Sequence, residues 1–327
     1  GILQSFKRFF VYSLAPIMYN LGIIAGALFL SPKYGVHGLA FGVVGGAFLH
    51  MFIQLPTVFR LGFSYKLSFD HTNKNVRKIA LMMIPRSLSL GVNQLNLLVI
   101  TIIDSTLVTG SLSIFNLANN LQTFPVGIFG ISFAIAAFPT LSAVAFEKKK
   151  LISNFSSTFR KILFFIVPSS VLLLTLRAQI IRVVLGAGNF NWEDTMMTIE
   201  TMGFFTISLF AQATIPLLVR VFYARQNSST PFVLGLVSAG LNVFLSYYFI
   251  YIYNPLTSIF NIHLSSFFDF NLIPPSANGV AGLALAFSIA TIFNFFVLWI
   301  VLRKEIGGLD ESKILYSTIK FSIAALA

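Results

Sequence analysis

The stretch Gly35-Val36-His37-Gly38-Leu39-Ala40 recurs far along the chain as Gly279-Val280-Ala281-Gly282-Leu283-Ala284. Each copy opens a long apolar run that closes on an arginine, Arg60 or Arg303, and each follows an apolar segment holding an asparagine, Asn20 or Asn242. A two-helix unit is therefore written twice. Internal duplication in a hydrophobic chain is a mark of transporters built from structural repeats. The first copy lies near Gly1, while the second follows several other apolar runs. That asymmetry leads us to expect a chain whose opening half-repeat is missing. The start without Met and the end at Ala327, inside an apolar run, are expected to be fragment boundaries.

Composition decides the class. Hydrophobic residues make up 56% and charged residues 10% of the 327 residues. A soluble domain carries about a quarter charged residues, so this chain cannot build a water-facing surface. Apolar runs of about 20 residues, rather than alternating segments of about 10, argue for membrane-spanning helices and against a barrel. With no cysteine, disulfide scaffolds and thiolate metal sites are excluded, and His37, His50, His71 and His263 show no ligand spacing. The net charge of +12 does not point to nucleic acid. Basic residues gather in alternate connections: Lys7 and Arg8; Arg60 to Lys78; Lys148, Lys149, Lys150, Arg160 and Lys161; Arg220 and Arg225; Arg303, Lys304 and Lys313. The opposite loops hold only Lys33, Arg177 and Arg182. This is the positive-inside pattern, and it places the start of the chain and loop 145–158 in the cytoplasm. Anionic lipid is a secondary expectation for the same residues.

Periodicity and turn signals predict an all-α bundle of eight full spans and one truncated one. They fall near 9–30, 36–59, 79–103, 111–144, 159–185, 198–222, 231–253, 278–302 and 312–327. The run 111–144 is too long for one straight span and contains Pro125 and Pro139, so a kink or an extension is expected. Stretch 186–195 reads as a polar turn that ends in a helix-start signal. Loop 60–78 could carry a short surface helix. The spacings Gly22–Gly26, Gly38–Gly42 and Gly42–Gly46 permit close helix approach, which we read as packing within the chain.

Signatures of catalysis are missing, phosphate-binding loops included, so the chain is expected to be no enzyme and to need no cofactor. The spans do hold polar residues at helical spacing. Arg86, Ser89, Asn93, Asn96 and, two turns on, Asp104 form one stripe, which should face protein or a watery cavity rather than lipid. Arg86 is either an anion-binding group in that cavity or a side chain snorkelling to the cytoplasmic interface. Asn116, Asn119, Asn120 and Thr123 repeat the theme in 111–144. Amides and a hydroxyl on one face can bind sugar hydroxyls, peptide amides or phosphate oxygens, or lock helices together; we favour cavity lining. Glu200, Gln212 and Arg220, with Ser208, fall near one face of 198–222 and are secondary candidates. Interfacial anchoring is the favoured role for Glu200 and Arg220. Asn242, Ser246, Ser288 and Asn294 read as packing hydrogen bonds.

The run from Gly110 to Gly130, GSLSIFNLANNLQTFPVGIFG, resembles the eighth helix of the MurJ (MviN) lipid II flippase family within the MOP exporter superfamily. Phe138-Pro139-Thr140-Leu141-Ser142, Gln54-Leu55-Pro56, Gly91 to Asn96 and Phe222 to Pro231 fit the same family in the same order. The resemblance implies helices five to thirteen of a fourteen-helix, two-lobe transporter with pseudo-symmetric repeats. Residues 1–62 would then close the N-terminal lobe, 63–78 form a cytoplasmic linker, 79–304 make the six-helix C-terminal lobe, and 305–327 begin a further helix. It further implies a monomer in the bacterial cytoplasmic membrane. By alternating access, that monomer would flip an undecaprenyl-pyrophosphate-linked disaccharide-pentapeptide (lipid II) to the outer leaflet. Membrane potential or an ion gradient would drive it. Family members often carry arginine where this chain has Asn120, and some an acid at Asn119; Arg86 could compensate. Open alternatives are a polysaccharide-lipid flippase, a cation-coupled multidrug antiporter or a non-transporting scaffold.

Overall fold

In the computed structural model the backbone is described for residues 3, 6, 8–62, 74–107, 109–186, 188, 190–251 and 278–326. All regular elements among them are helical. They divide into two compact units, Gly1–Asn73 and Lys74–Ala327.

In the first unit, α1 (Phe9–Ala25) runs through a π-helical turn, Gly26–Leu30, and a last turn, Ser31–Tyr34. The loop expected over 31–35 therefore shrinks to Gly35, whose φ of 57° suits a residue without a side chain. Helix α2 (Val36–Phe52) then packs back along α1, and α3 (Leu55–Arg60) follows. The glycines at helical spacing make this seam: Gly22, Gly26, Gly38, Gly42 and Gly46 are all buried. A Cβ on Gly42 would lie 2.6 Å from the Gly26 Cα, so the two backbones are in direct contact. With lipid as apolar as leucine, such backbone-to-backbone packing is what holds transmembrane helices together.

The second unit comprises α4 (Lys74–Asp104), α5 (Ser111–Pro125), α6 (Ser132–Ala143), α7 (Lys148–Thr175), α8 (Arg177–Leu185), α9 (Trp192–Ile207), α10 (Leu209–Ala224), α11 (Ser229–Tyr251), α12 (Asn278–Ile306) and α13 (Glu311–Leu326). Helix α10 is central and packs on α6, α7 and α12; α9 packs on α5 and α12, and α4 on α11. Among the described residues six helices are long and apolar enough to cross a membrane, or seven if α9 and α10 count as one bent span. Eight full spans were expected. Two of the differences have local causes. The span expected at 159–185 begins earlier, at Lys148, so most of the loop expected over 145–158 is helix. Leu151, Phe155, Phe159, Ile162 and Ile166 give that helix a buried stripe at steps of three and four, while its lysines stay outside. It ends at Thr175, where Arg177 Nη1 donates to the Leu174 carbonyl at 2.6 Å. The span expected at 198–222 breaks at Ser208 and bends by 45°.

Run 111–144 stays one helix with an expanded middle. Pro125 cannot donate to the Leu121 carbonyl, and a π-helical segment, Val126–Ile131, follows it directly. Asn191 opens α9 with a capping box: its side chain accepts from the Asp194 amide at 2.8 Å while Asp194 accepts from the Asn191 amide at 3.0 Å. Ser156 donates to Asp310 at 3.1 Å, tying the start of α13 to α7. Arg225 and Asn227 both reach Glu305, at 3.7 and 3.2 Å. Of loop 60–78, expected to carry a short surface helix, residues 74–78 are already part of α4, while 63–73 lie outside the described residues, as does the basic-free stretch 254–276.

Candidate functional site

Two apolar cores fill the second unit. One includes Ala118, Phe205 and Ala284, the other Val126, Leu209 and Phe295. Between them the sequence places Gln122, Ser208 and Ser288. These join into one buried chain. Gln122 and Gln212 exchange amide hydrogen bonds at 3.1 and 3.0 Å, and Gln212 Nε2 also donates to Ser208 Oγ at 2.9 Å. Ser208 and Ser288 meet at 3.0 Å, and Ser288 donates to the Phe204 carbonyl at 2.7 Å. Gln122 further donates to Asn119 Oδ1 at 2.9 Å. The chain spans α5, the α9–α10 break and α12, beside the π segment, where Gly130 lies against the Ala213 backbone. Satisfied polar chains of this kind fix helix register in a low-dielectric interior.

Helical spacing marks Gln212 and Ser208 as candidates but not Gln122, which is as fully buried as Ser208. The signal was available. Ser111, Phe115, Ala118 and Gln122 continue one buried stripe, so a glutamine in that register had to find a partner inside.

The asparagine face of α5 divides. Asn119 is half-buried and committed to Gln122, whereas Asn116, Asn120 and Thr123 are exposed. Thr123 donates to the Asn119 carbonyl at 2.6 Å. The side chains of Asn116 and Asn120 make no hydrogen bond among the described residues. Asn120 and Thr123 border an open groove of about 420 Å³, continued by Phe124, Gly127, Ile128 and Ser132.

On α4, the side chains of Arg86, Ser89 and Asn93 lie outside the described residues. Asn96 faces α11, where it accepts from Asn242 Nδ2 at 3.3 Å. Asp104 is 1% exposed, and neither carboxylate oxygen has a hydrogen-bond partner among the described residues. A buried polar group without partners costs about 1–3 kcal/mol. Asp104→Leu is therefore expected to raise thermal stability by roughly that amount. Thermal unfolding of the detergent-purified full-length protein checks this, and lower stability in the variant would show that the carboxyl is satisfied.

Glu200 is 6% exposed and acts electrostatically on Arg177. Burial lowers the pKa of the Arg177 guanidinium, and the nearby Glu200 carboxylate opposes that shift. Arg220 is half-buried and donates to the Pro216 carbonyl at 3.3 Å.

Apolar helices of membrane-crossing length, with a polar chain sealed inside them, define a polytopic helical membrane protein. A family model described as "Lipid II flippase MurJ" matches residues 1–327. The chain belongs to that family. Among its relatives, a probable lipid II flippase MurJ of Haemophilus influenzae is 30% identical over 253 residues, covering 74% of this chain and 50% of the relative. The Borreliella burgdorferi protein of the same name is 25% identical over 322 residues, covering 98% and 59%. A solved structure of lipid II flippase MurJ in an inward closed conformation superposes with a TM-score of 0.72 at 24% identity, covering 99% of this chain and 62% of that one. That likeness establishes the shared fold. The chain spans about half the length of the relatives it matches.

Proposed function

We propose that this chain forms part of a flippase that moves lipid II from the cytoplasmic to the outer leaflet by alternating access. The observation that carries the reading is the family match along all 327 residues. The exposed amides of α5, set beside a sealed polar chain, suit a cavity for a hydrophilic headgroup. The protein acts on no covalent bond. Its driving force is the membrane potential or an ion gradient, and the coupling ion is unassigned. It works as a monomer among membrane lipids of the bacterial cytoplasmic membrane, without nucleic acid. Its basic connections, including the start of α7, face the cytoplasm.

Domain roles follow the same reading: 1–62 close one lobe, 63–78 link, 79–304 form the other lobe, and 305–327 lead into a further helix. The α5 face with Asn116, Asn119, Asn120 and Thr123, and the α4 stripe with Arg86, Ser89, Asn93 and Asn96, are the substrate-cavity candidates; Asp104, Glu200, Gln212 and Arg220 are secondary. Complementation of a strain depleted of its lipid II flippase tests the function. The full-length protein is expected to restore growth and cell shape. Failure by a well-expressed protein would count against lipid II and for a related exporter or a scaffold.

A further inference from the structure

The groove on α5 has a chemistry of its own. Asn116, Asn120, Thr123 and Gly127 follow one another at steps of four, three and four, so they lie along one helix face. Phe124 stands beside them with 70% of its surface exposed, and Ile128 lies one turn on. Above Gly127 the space is open, since a Cβ added there would meet nothing within 4 Å. Among the described residues, no side chain lining the groove is ionisable. Thr123 donates a hydrogen bond to the Asn119 carbonyl and accepts a long one from Gln122 Nε2, so towards the groove it presents its remaining acceptor capacity. The amides of Asn116 and Asn120 offer both donors and acceptors.

Among the described residues lining the groove a phosphate would find no cation, and desolvating it against neutral amides is unfavourable. A lipid tail would leave the amides unsatisfied. A pyranose ring meets both conditions: its apolar C–H face lies on an aromatic ring while its edge hydroxyls pair with amides.

We propose that Phe124, Asn120 and Thr123, over the open floor at Gly127, form a subsite for a sugar ring of the transported headgroup. The pyrophosphate is held elsewhere. This rests on the lipid-linked precursor reading above.

The test is binding to the purified full-length protein of two probes: undecaprenyl pyrophosphate bearing the disaccharide-pentapeptide, and bare undecaprenyl pyrophosphate. Phe124→Ala is expected to weaken binding of the first by roughly tenfold, the scale of one aromatic contact, and to leave the second unchanged. Phe124→Tyr should bind both like the parent, and Gly127→Leu, which fills the floor, should resemble Phe124→Ala. Equal weakening of both probes by Phe124→Ala would overturn the subsite in favour of a lipid-facing or structural role. Unchanged binding of both would overturn it as well. If the parent protein binds neither probe, the precursor reading itself fails, and the subsite with it.

Discussion

Gly42→Leu is expected to separate α1 from α2 and to cost about 3 kcal/mol, the upper range for overpacking a close contact. The contact is backbone on backbone. A Cβ at Gly42 would lie 2.6 Å from the Gly26 Cα and 3.0 Å from the Gly22 carbonyl oxygen, and neither atom can swing aside as a side-chain end could. Larger residues cannot take over, because the outward leucines, valines and phenylalanines of both helices are exposed in this unit. Gly45 supplies the control: a Cβ there meets nothing within 4 Å, so Gly45→Leu should leave the pair intact. Thermal unfolding of the full-length protein in detergent distinguishes the two. Equal effects of both substitutions would mean that the glycine seam does not hold the helices.

Gln122→Leu carries the next largest effect, a loss of about 1–3 kcal/mol. The leucine itself suits a fully buried site. The cost arises at Gln212, whose carbonyl loses its 3.1 Å donor, and at Asn119, whose oxygen loses its 2.9 Å donor. Removing both glutamines leaves fewer orphans than the sum of the single changes suggests. The double variant Gln122→Leu/Gln212→Leu is therefore expected to be more stable than additivity allows, by about 1 kcal/mol. A strictly additive cycle would mean that the two amides do not act as a pair. Because the chain links α5 to the break at Ser208, the single variant should also loosen the 45° bend, measurable as faster hydrogen exchange at Leu209 and Phe210.

Much of this architecture was legible in the residues, for definite reasons. The duplicated Gly-Val-x-Gly-Leu-Ala word falls at the starts of α2 and α12; its glycines meet backbone in α2, and the side chains of Leu107 and Phe249 in α12. Gly22, Gly26, Gly38, Gly42 and Gly46 announced a seam because only small residues at that spacing allow one. Breaks within helices were harder to see. Ser208 has no glycine or proline neighbour; its distant partner is Ser288 on α12, and it meets α5 only through Gln212, which pairs with Gln122. The early start of α7 was hidden by its lysines, which lower hydropathy without interrupting the buried stripe. Within the candidate site, spacing located the asparagine face of α5 but could not separate Asn119, drawn inward by Gln122, from Asn116 and Asn120. That distinction depends on which neighbour supplies a donor.

The measurement that bears most directly on the proposed function is transbilayer movement itself. Full-length protein is reconstituted in vesicles carrying lipid II in the inner leaflet, an ion gradient or potential is applied, and the fraction of headgroup reachable from outside is followed in time. Movement that depends on the protein and is slowed by Asn116→Ala/Asn120→Ala is the expected result. Reconstituted, folded protein that leaves the headgroup on its starting side under every imposed gradient would contradict the account.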